Sequence, residues 1–279
     1  MDRYYLYSFK NIYAFDEFLK HETAPMFGSY VSSREIPESF CKTKSWEEAE
    51  GLLSEGWSAP VDRMADLMVN KVMSSKNKLK RDVVGCVPVV PAAINGAPKS
   101  LMTLKRQPQK QSHINIIYNM TAHCHVSSDD LLRAGICVLN LCTALDNAHA
   151  STKIDIIPKF SWVLSSPKTD TKEIAACMVN IKDYAQPFNL KKMAYPLAHV
   201  SFFRRQGFRF LENLKELKTK KWLNGYGVSF GTQTGMHPME KEALKKFHVD
   251  KNSVYIKFID IVNARYDYKA LAKNKGISL

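Results

Sequence analysis

The sequence predicts an α/β protein in which helices flank an open, mainly parallel sheet. Three consecutive segments near the middle of the chain support this prediction. Residues 113–118 have strand character, a helix begins at Ser127 or Ser128, and residues 153–157 form a second strand-like segment. A helix that joins two strands in this order places them parallel, in a right-handed crossover. With 279 residues, 45% of them hydrophobic, the chain can bury one sizeable core or two modest ones.

The helix of this unit is predicted to run to about Ala150 and to pack one face on the sheet. Asp129 and Asp130 open it after the capping serine. Its apolar residues recur at spacings of three and four, which is typical of a single buried stripe. They are Leu131, Leu132, Gly135, Val138, Leu139, Cys142 and Leu145.

Residues 1–80 are predicted as an N-terminal, mainly helical region. Ser45 and Glu48 form a capping box, in which the serine oxygen accepts the third helical amide and the glutamate reaches back. Gly56 ends that helix. Pro60 opens a second helix, which closes in a basic run.

The remaining α/β domain is expected to occupy residues 81–265, followed by a frayed basic tail at residues 266–279. Pro88 and Pro91 confine the first strand of this domain to an edge or a broken strand, because proline cannot donate to a ladder. We expect strands at residues 4–9, 82–90, 102–104, 174–181 and 254–262, and further helices at residues 14–21, 190–198 and 201–217.

The basic composition favours a polyanionic partner such as nucleic acid or an acidic protein surface. Forty Lys and Arg against 27 Asp and Glu give a formal net charge of +13 and a pI near 9.4. The excess occurs in short clusters. They supply the candidate residues for contact with nucleic acid or another partner: Lys78, Lys80, Arg81, Arg204, Arg205, Arg209, Lys218, Lys220 and Lys221.

These clusters also have structural explanations. Basic residues at 76–81 would be favoured by the dipole at a helix C-terminus. Phe202 and Phe203 have the spacing of core residues, with the neighbouring arginines as their solvated margin. A basic surface with no dedicated ligand is the third possibility.

Cysteine usage and hydropathy bear on the compartment. The six cysteines show no CxxC spacing and no framework of a small secreted protein, which favours a reducing cytoplasm. No apolar run approaches the roughly 18 residues that a bilayer requires, so no membrane partner is expected. No secretory signal is visible at the start of the sequence.

The loop at residues 119–127 follows a predicted strand, at the edge where open parallel sheets bind ligands. Its position before a long helix resembles the von Willebrand factor A fold, whose members place an Asp-x-Ser-x-Ser motif there to hold a divalent cation. The resemblance covers about residues 82–262 and implies that fold. The motif positions carry Asn119, Thr121 and His123, and a neutral amide and a hydroxyl supply little charge for Mg²⁺. The comparison therefore implies a site that has lost its cation.

The segment His123-Cys124-His125 offers an alternative, because imidazole and thiolate bind Zn²⁺ and other transition metals. Three consecutive residues rarely point at one ion, so a distant histidine would have to complete the set. A polar loop with one histidine bonded to backbone is the structural alternative. No other cofactor is expected. The candidate divalent-metal residues are Asn119, Thr121, His123 and His125.

Enzymatic motifs are absent from the sequence. It contains no GxSxG, GxxxxGK[ST] or HExxH, and no GxGxxG after a strand. A Cys124 nucleophile with a neighbouring histidine as base is disfavoured, because side chains adjacent in an extended loop diverge. No catalytic residue is predicted.

Short patterns spread over most of the chain suggest a family. They are residues 45–49, 82–85, 95–98, 132–135, 195–199 and 225–227. Together they resemble an uncharacterised protein family of tailed bacteriophages. The resemblance implies a phage origin and a host-cytoplasm setting, and it implies no activity.

The expected function is that of a phage-encoded, non-enzymatic binding protein that engages a host or phage macromolecular complex, in host takeover, anti-defence or assembly. The first alternative is a basic nucleic-acid-binding protein, whose affinity would fall steeply with salt. The second is a metal-dependent hydrolase at residues 119–127, which would retain stoichiometric metal on purification.

Overall fold

A computed structural model describes residues 3–21, 32–60, 78–84, 87–105, 113–148, 151–166, 169–217, 226–250 and 253–279. The chain divides into two compact units, one formed by residues 1–64 and 113–279 and the other by residues 65–112. In the larger unit, six strands form a mixed, mostly parallel sheet flanked by helices. The predicted α/β class is confirmed. The division differs from the predicted boundaries at residues 80 and 265.

The described strands are numbered in chain order. They are β1 (Arg3–Phe9), β2 (Lys78–Asp82), β3 (Val87–Pro88), β4 (Leu101–Lys105), β5 (His113–Asn119), β6 (Ser151–Ser166), β7 (Thr169–Lys182), β8 (Val228–Ser229) and β9 (Ser253–Lys257). The larger sheet has the order β1-β7-β6-β5-β9, with β8 paired to β6, and the smaller unit has the order β2-β4-β3.

The described helices follow the same numbering. They are α1 (Ile12–Leu19), α2 (Glu38–Cys41), α3 (Trp46–Glu55), α4 (Val90–Ile94), α5 (Ser128–Asn147), α6 (Leu190–Ala198), α7 (Gly207–Asn213), α8 (Pro238–Lys246), α9 (Phe258–Asn263) and α10 (Tyr268–Asn274). A π-helical turn, Phe202–Gln206, runs directly into α7. No helix in the described ranges combines the length and apolar character needed to cross a membrane.

The β5–α5–β6 unit is the predicted crossover. β5 pairs with β6 in parallel over its whole length. α5 begins at the predicted cap, because the Ser127 Oγ accepts the Asp130 N–H at 3.0 Å. The predicted stripe faces inward, with Leu139 and Leu145 fully buried. The parallel relation of the two strands is confirmed.

β6 and β7 form a long antiparallel hairpin that extends past the predicted strands at residues 153–157 and 174–181. The pairing is irregular between Ile156 and Lys159, where the register shifts. Pro158 lies inside this irregularity and has no N–H to donate, which explains why the ladder is interrupted there. Lys159 then resumes the pairing, opposite Cys177.

The N-terminal residues belong to the main sheet. β1 lies at its edge and pairs in parallel with β7, so the strand predicted at residues 4–9 is confirmed. Ser45 caps α3, because its Oγ accepts the Glu48 N–H. The Glu48 carboxylate accepts the Lys44 N–H rather than the Ser45 N–H, so the second bond of the predicted capping box is not formed. The helix predicted after Pro60 falls on residues 61–77, outside the described residues.

The smaller unit corrects the prediction for the basic run at residues 76–81. Residues 78–82 form β2, which pairs antiparallel with β4, so the predicted helix C-terminus is wrong there. Lys78, Leu79 and Lys80 alternate with the period of a strand, and β4 supplies the backbone partners that stabilise it. β3 is short and lies at an edge, as its prolines predict.

The C-terminal segment differs from two predictions. The strand expected at residues 254–262 ends at Lys257, because the Asp260 carboxylate accepts the Lys257 N–H at 2.8 Å and starts α9. The expected frayed tail contains α10, in which Leu271 is fully buried and Ala272 is 1% exposed. Its basic residues suggested solvation, but these two apolar positions attach the helix to the core.

Candidate functional site

The residues 119–127, here called the edge loop, join the end of β5 to α5. Asn119 and Thr121 are fully buried, whereas His123, Cys124 and His125 are exposed. The loop therefore has a buried base and an exposed tip.

Hydrogen bonds fix the buried base of the edge loop. The Asn119 Oδ1 accepts the Thr121 N–H at 3.1 Å and the Thr121 hydroxyl at 2.6 Å. The Asn119 Nδ2 donates to the Tyr255 hydroxyl at 2.8 Å. The amide thus closes the first turn of the loop and links it to β9.

A buried ion pair lies behind Tyr255. The Tyr255 hydroxyl donates to the Glu240 Oε1 at 2.7 Å, and the Lys257 Nζ donates to the Glu240 Oε2 at 3.1 Å. Burial and the Glu240 carboxylate raise the pKa of Tyr255 well above its usual value, so the phenol stays neutral and donates. Because Lys257 already neutralises Glu240, this network needs no cation.

The predicted metal ligands do not form one set. Asn119 and Thr121 are bonded to each other in the interior, while His123 and His125 lie at the exposed tip. Across the described ranges, no group of three or more His, Cys, Asp or Glu side chains is placed to hold a metal ion. His199, which could have completed a zinc set, is buried with its Nδ1 accepting the Ser201 N–H.

Three arginines predicted to contact a partner are buried. Arg204, Arg205 and Arg209 are 3%, 0% and 2% exposed, so their interpretation as a solvated margin is wrong. They lie in or just after the π-helical turn at residues 202–206. Its i→i+5 bonding changes the helical phase, which is why a face assigned at α-helical spacing fails here.

Arg205 holds a distant segment of the chain. Its guanidinium donates to the carbonyl oxygens of Ile36 at 2.9 Å and Thr43 at 3.0 Å, and to the Arg34 carbonyl. A guanidinium has five donors and no acceptor, so carbonyl groups are suitable partners. These bonds fasten residues 34–43 to the π-helical turn.

Arg204 connects the edge loop to α2. Its guanidinium donates to the Phe40 carbonyl at 2.9 Å and to the Val126 carbonyl at 2.6 Å. The guanidinium carbon also lies 4.1 Å from the centre of the Phe40 ring. The far end of the edge loop is therefore anchored as firmly as its base.

The remaining basic candidates do not assemble a surface within the described residues. Arg81 is exposed and belongs to the smaller unit. The side chains of Lys78 and Lys80, and the whole of residues 218–221, lie outside the described part of the structure.

A cavity of about 390 Å³ opens beside the edge loop. Its walls come from the loop, α2, β6, the π-helical turn, α7, β8 and the two residues before β8. The lining residues are Phe40, Ala122, His123, Cys124, Lys159, Phe203, Arg204, Phe208, Tyr226, Gly227, Val228 and Ser229.

Lys159 is the buried ionisable group of this cavity. It is 3% exposed, and its Nζ lies 4.6 Å from the centre of the Phe208 ring, with Phe203 and Tyr226 within 6.0 Å. Burial lowers the pKa of its amine to about 7. Within the described residues, three aromatic rings lie within 6.0 Å of the Nζ, and no hydrogen bond from the Nζ is found.

Local sequence places Lys159 in this position. The pairing of β6 with β7 is interrupted around Pro158, directly before the lysine. Gly207 lets α7 approach there, since a Cβ at this position would lie 2.7 Å from the Pro158 carbonyl oxygen. Lys159 was not among the predicted site residues, because the strand was predicted to end at residue 157. A lysine directly after the apolar residues at 156–158 was the available signal.

Comparison with known proteins identifies a family. Residues 2–277 match a family described as a Domain of unknown function (DUF7192). The chain belongs to this family. No curated protein and no solved structure matches the chain. The description of this family names no activity.

Proposed function

We propose that this chain is a non-enzymatic binding protein that engages a macromolecular partner through the tip of the edge loop. The observation that carries this proposal is the contrast within the loop, in which an exposed tip, His123 to His125, stands on a hydrogen-bonded base at the carboxyl end of β5. In open sheets, the carboxyl ends of parallel strands are the usual place for a ligand.

The anchoring of the loop supports a binding role. Asn119 fixes its start and Arg204 fixes its end, so the tip is held in one shape before any partner arrives. A surface that is already ordered loses less conformational entropy on binding, which favours affinity.

The arrangement of strands supports the von Willebrand factor A-like part of the proposal. β5 and β6 run parallel and are joined by α5, and β9 lies parallel on the other side of β5. In this proposal the loop that carries the cation in that fold is instead a protein-contact surface. The resemblance to a tailed-phage family makes phage-infected bacteria the cells in which to seek the partner.

The burial of the arginines weakens the nucleic-acid alternative. Arg204, Arg205 and Arg209 donate to carbonyl groups or to Glu212 inside the protein, so they do not offer free charge to phosphates. The metal-dependent hydrolase alternative is weakened too, because two of its proposed metal ligands, Asn119 and Thr121, are hydrogen-bonded to each other.

Site-specific cross-linking tests the proposal. A photo-reactive phenylalanine analogue is placed at His123, and in the control at His113, which is also exposed but lies at the opposite end of β5. After irradiation in infected cells, we expect one protein to be cross-linked from position 123 and not from position 113. An excess of unlabelled chain should compete for it.

Two outcomes contradict the proposal. Identical products from both positions, or no product specific to position 123, mean that the loop tip is not a partner surface. A product from position 123 that nuclease removes identifies a nucleic acid instead of a protein.

A further inference from the structure

We propose that the cavity at Lys159 binds a small monocarboxylate with an aromatic or aliphatic body, and that the Lys159 ammonium pairs with its carboxylate. The cavity shares His123 and Cys124 with the loop tip. The ligand proposed here binds at Lys159 rather than at the tip, so either proposal can fail without the other.

The comparison of three buried lysines supports this inference. Lys182 is 1% exposed and its Nζ donates to the Thr152 carbonyl at 2.7 Å, while Lys257 is 4% exposed and its Nζ donates to Glu240. Lys159 is as deeply buried, but its Nζ has no acceptor within the described residues. A buried ammonium without an acceptor is costly, so an external acceptor is the missing partner.

The charge of the cavity selects an anion. Its lining contains two basic side chains, Lys159 and Arg204, and no Asp or Glu. The terminal nitrogens of Arg204 donate to the carbonyls of Phe40 and Val126, and its buried Nε has no partner among the described residues. Lys159 and this N–H are therefore the donors that can receive the ligand charge. Within a low-dielectric pocket, one carboxylate would form a charge-assisted hydrogen bond with this ammonium.

The shape of the cavity selects the body of the ligand. Phe203, Phe208 and Tyr226 surround the amine, and the volume of about 390 Å³ is at the lower end of the range typical for small-molecule sites. A six-membered ring or a short alkyl chain can pack against these aromatic walls while its carboxylate reaches the Nζ. A bare inorganic anion would leave the apolar walls uncovered.

The surroundings of Lys159 determine how binding depends on pH. The other titratable groups that line the cavity are His123, Cys124, Arg204 and Tyr226, and Cys177 lies opposite Lys159 on β7. Burial raises the pKa of the Cys177 thiol, so it stays neutral. Because the amine of Lys159 titrates near pH 7 in the empty cavity, carboxylate binding above that pH must take up a proton.

Calorimetric titration with phenylacetate, and with phenylacetamide as its uncharged equivalent, tests the site. For the unmodified protein, we expect phenylacetate to bind about thirtyfold more weakly at pH 8.5 than at pH 6.0, following the loss of the ammonium form. At pH 8.5, the heat should depend on the buffer because close to one proton is taken up. Phenylacetamide should show neither effect.

Substitution assigns the effect to one residue. Lys159→Met should weaken phenylacetate binding at least tenfold and abolish its pH dependence, whereas Lys273→Met, at an exposed position of α10, should leave both unchanged. The ¹³Cε resonance of Lys159 in the unmodified, lysine-labelled protein gives a second measurement, since its titration midpoint should rise when phenylacetate is added.

The inference is wrong if phenylacetate and phenylacetamide bind equally. It is also wrong if neither phenylacetate nor hexanoate binds at pH 6.0, or if Lys159→Met retains the affinity and pH dependence of the unmodified protein.

Discussion

Replacing Lys159 by methionine should stabilise the protein at neutral pH. The amine is 3% exposed and surrounded by aromatic rings, and burial lowers its pKa from an ordinary value of 10.5 to about 7. The folded state therefore binds this proton more weakly than the unfolded state does. Methionine has a similar length and no charge, so it can occupy the same space without the free-energy cost of burying an ammonium group.

The magnitude follows from the two pKa values. Below pH 7 the amine is charged in both states and the penalty is complete; it fades as pH rises toward 10.5, where both states lose the proton. At about 1.36 kcal/mol per pKa unit, the penalty is about 4 kcal/mol at pH 7 and about 2 kcal/mol at pH 9. Lys159→Met should raise the free energy of unfolding by these amounts.

Urea unfolding at pH 7 and pH 9 measures both values, with no carboxylate in the buffer. Lys273→Met is the control, because an exposed position should change the free energy of unfolding by less than about 0.5 kcal/mol. A destabilised Lys159→Met protein at pH 7, or a gain that does not decrease at pH 9, would refute the reasoning. The first result would mean that the ammonium has an internal partner.

Three further predictions concern stability. Burial lowers the pKa of His199 to about 4, so the free energy of unfolding of the unmodified protein should fall by about 2 kcal/mol between pH 7 and pH 5. The free energy of unfolding of His199→Gln, measured by urea unfolding at the same two pH values, should fall by less. Gly135→Ala should lower the melting temperature by an amount equivalent to about 3 kcal/mol, because its Cβ would lie 2.2 Å from the Ala198 Cα; Gly51→Ala, with open space around it, should raise it. Arg205→Lys should cost about 3 kcal/mol in urea unfolding and speed the proteolysis of residues 34–43, and an unchanged protein would contradict the role of its carbonyl contacts.

Local patterns were sufficient to predict the central crossover. The apolar stripe of α5, its serine cap and the strand-like segments on either side are all encoded within a few residues of where they act. The edge loop and its exposed tip followed from this unit. The α9 helix was missed because the pattern at residues 254–262 alternates like a strand, and only the Asp260 cap ends it.

The interior of the candidate site could not be predicted in the same way. Arginine is usually a surface residue, and the burial of Arg205 depends on carbonyl groups of residues 34–43, which are distant in the chain. The cavity around Lys159 likewise depends on α7 and on the segment before β8. Charge and periodicity describe a residue and its neighbours in sequence, whereas these environments come from packing between distant segments.

The position of β1 at the sheet edge affects how the protein is made. This strand leaves the ribosome long before the strand it pairs with, since Arg3 lies opposite Glu173 and Phe9 opposite Val179. Pairings between such distant segments form slowly, because the entropy cost of closing a long loop comes before the contacts that offset it. During synthesis, the tyrosines and phenylalanine of β1 therefore stay accessible in the incomplete chain until the β6–β7 hairpin has formed. In that interval they can aggregate or bind chaperones.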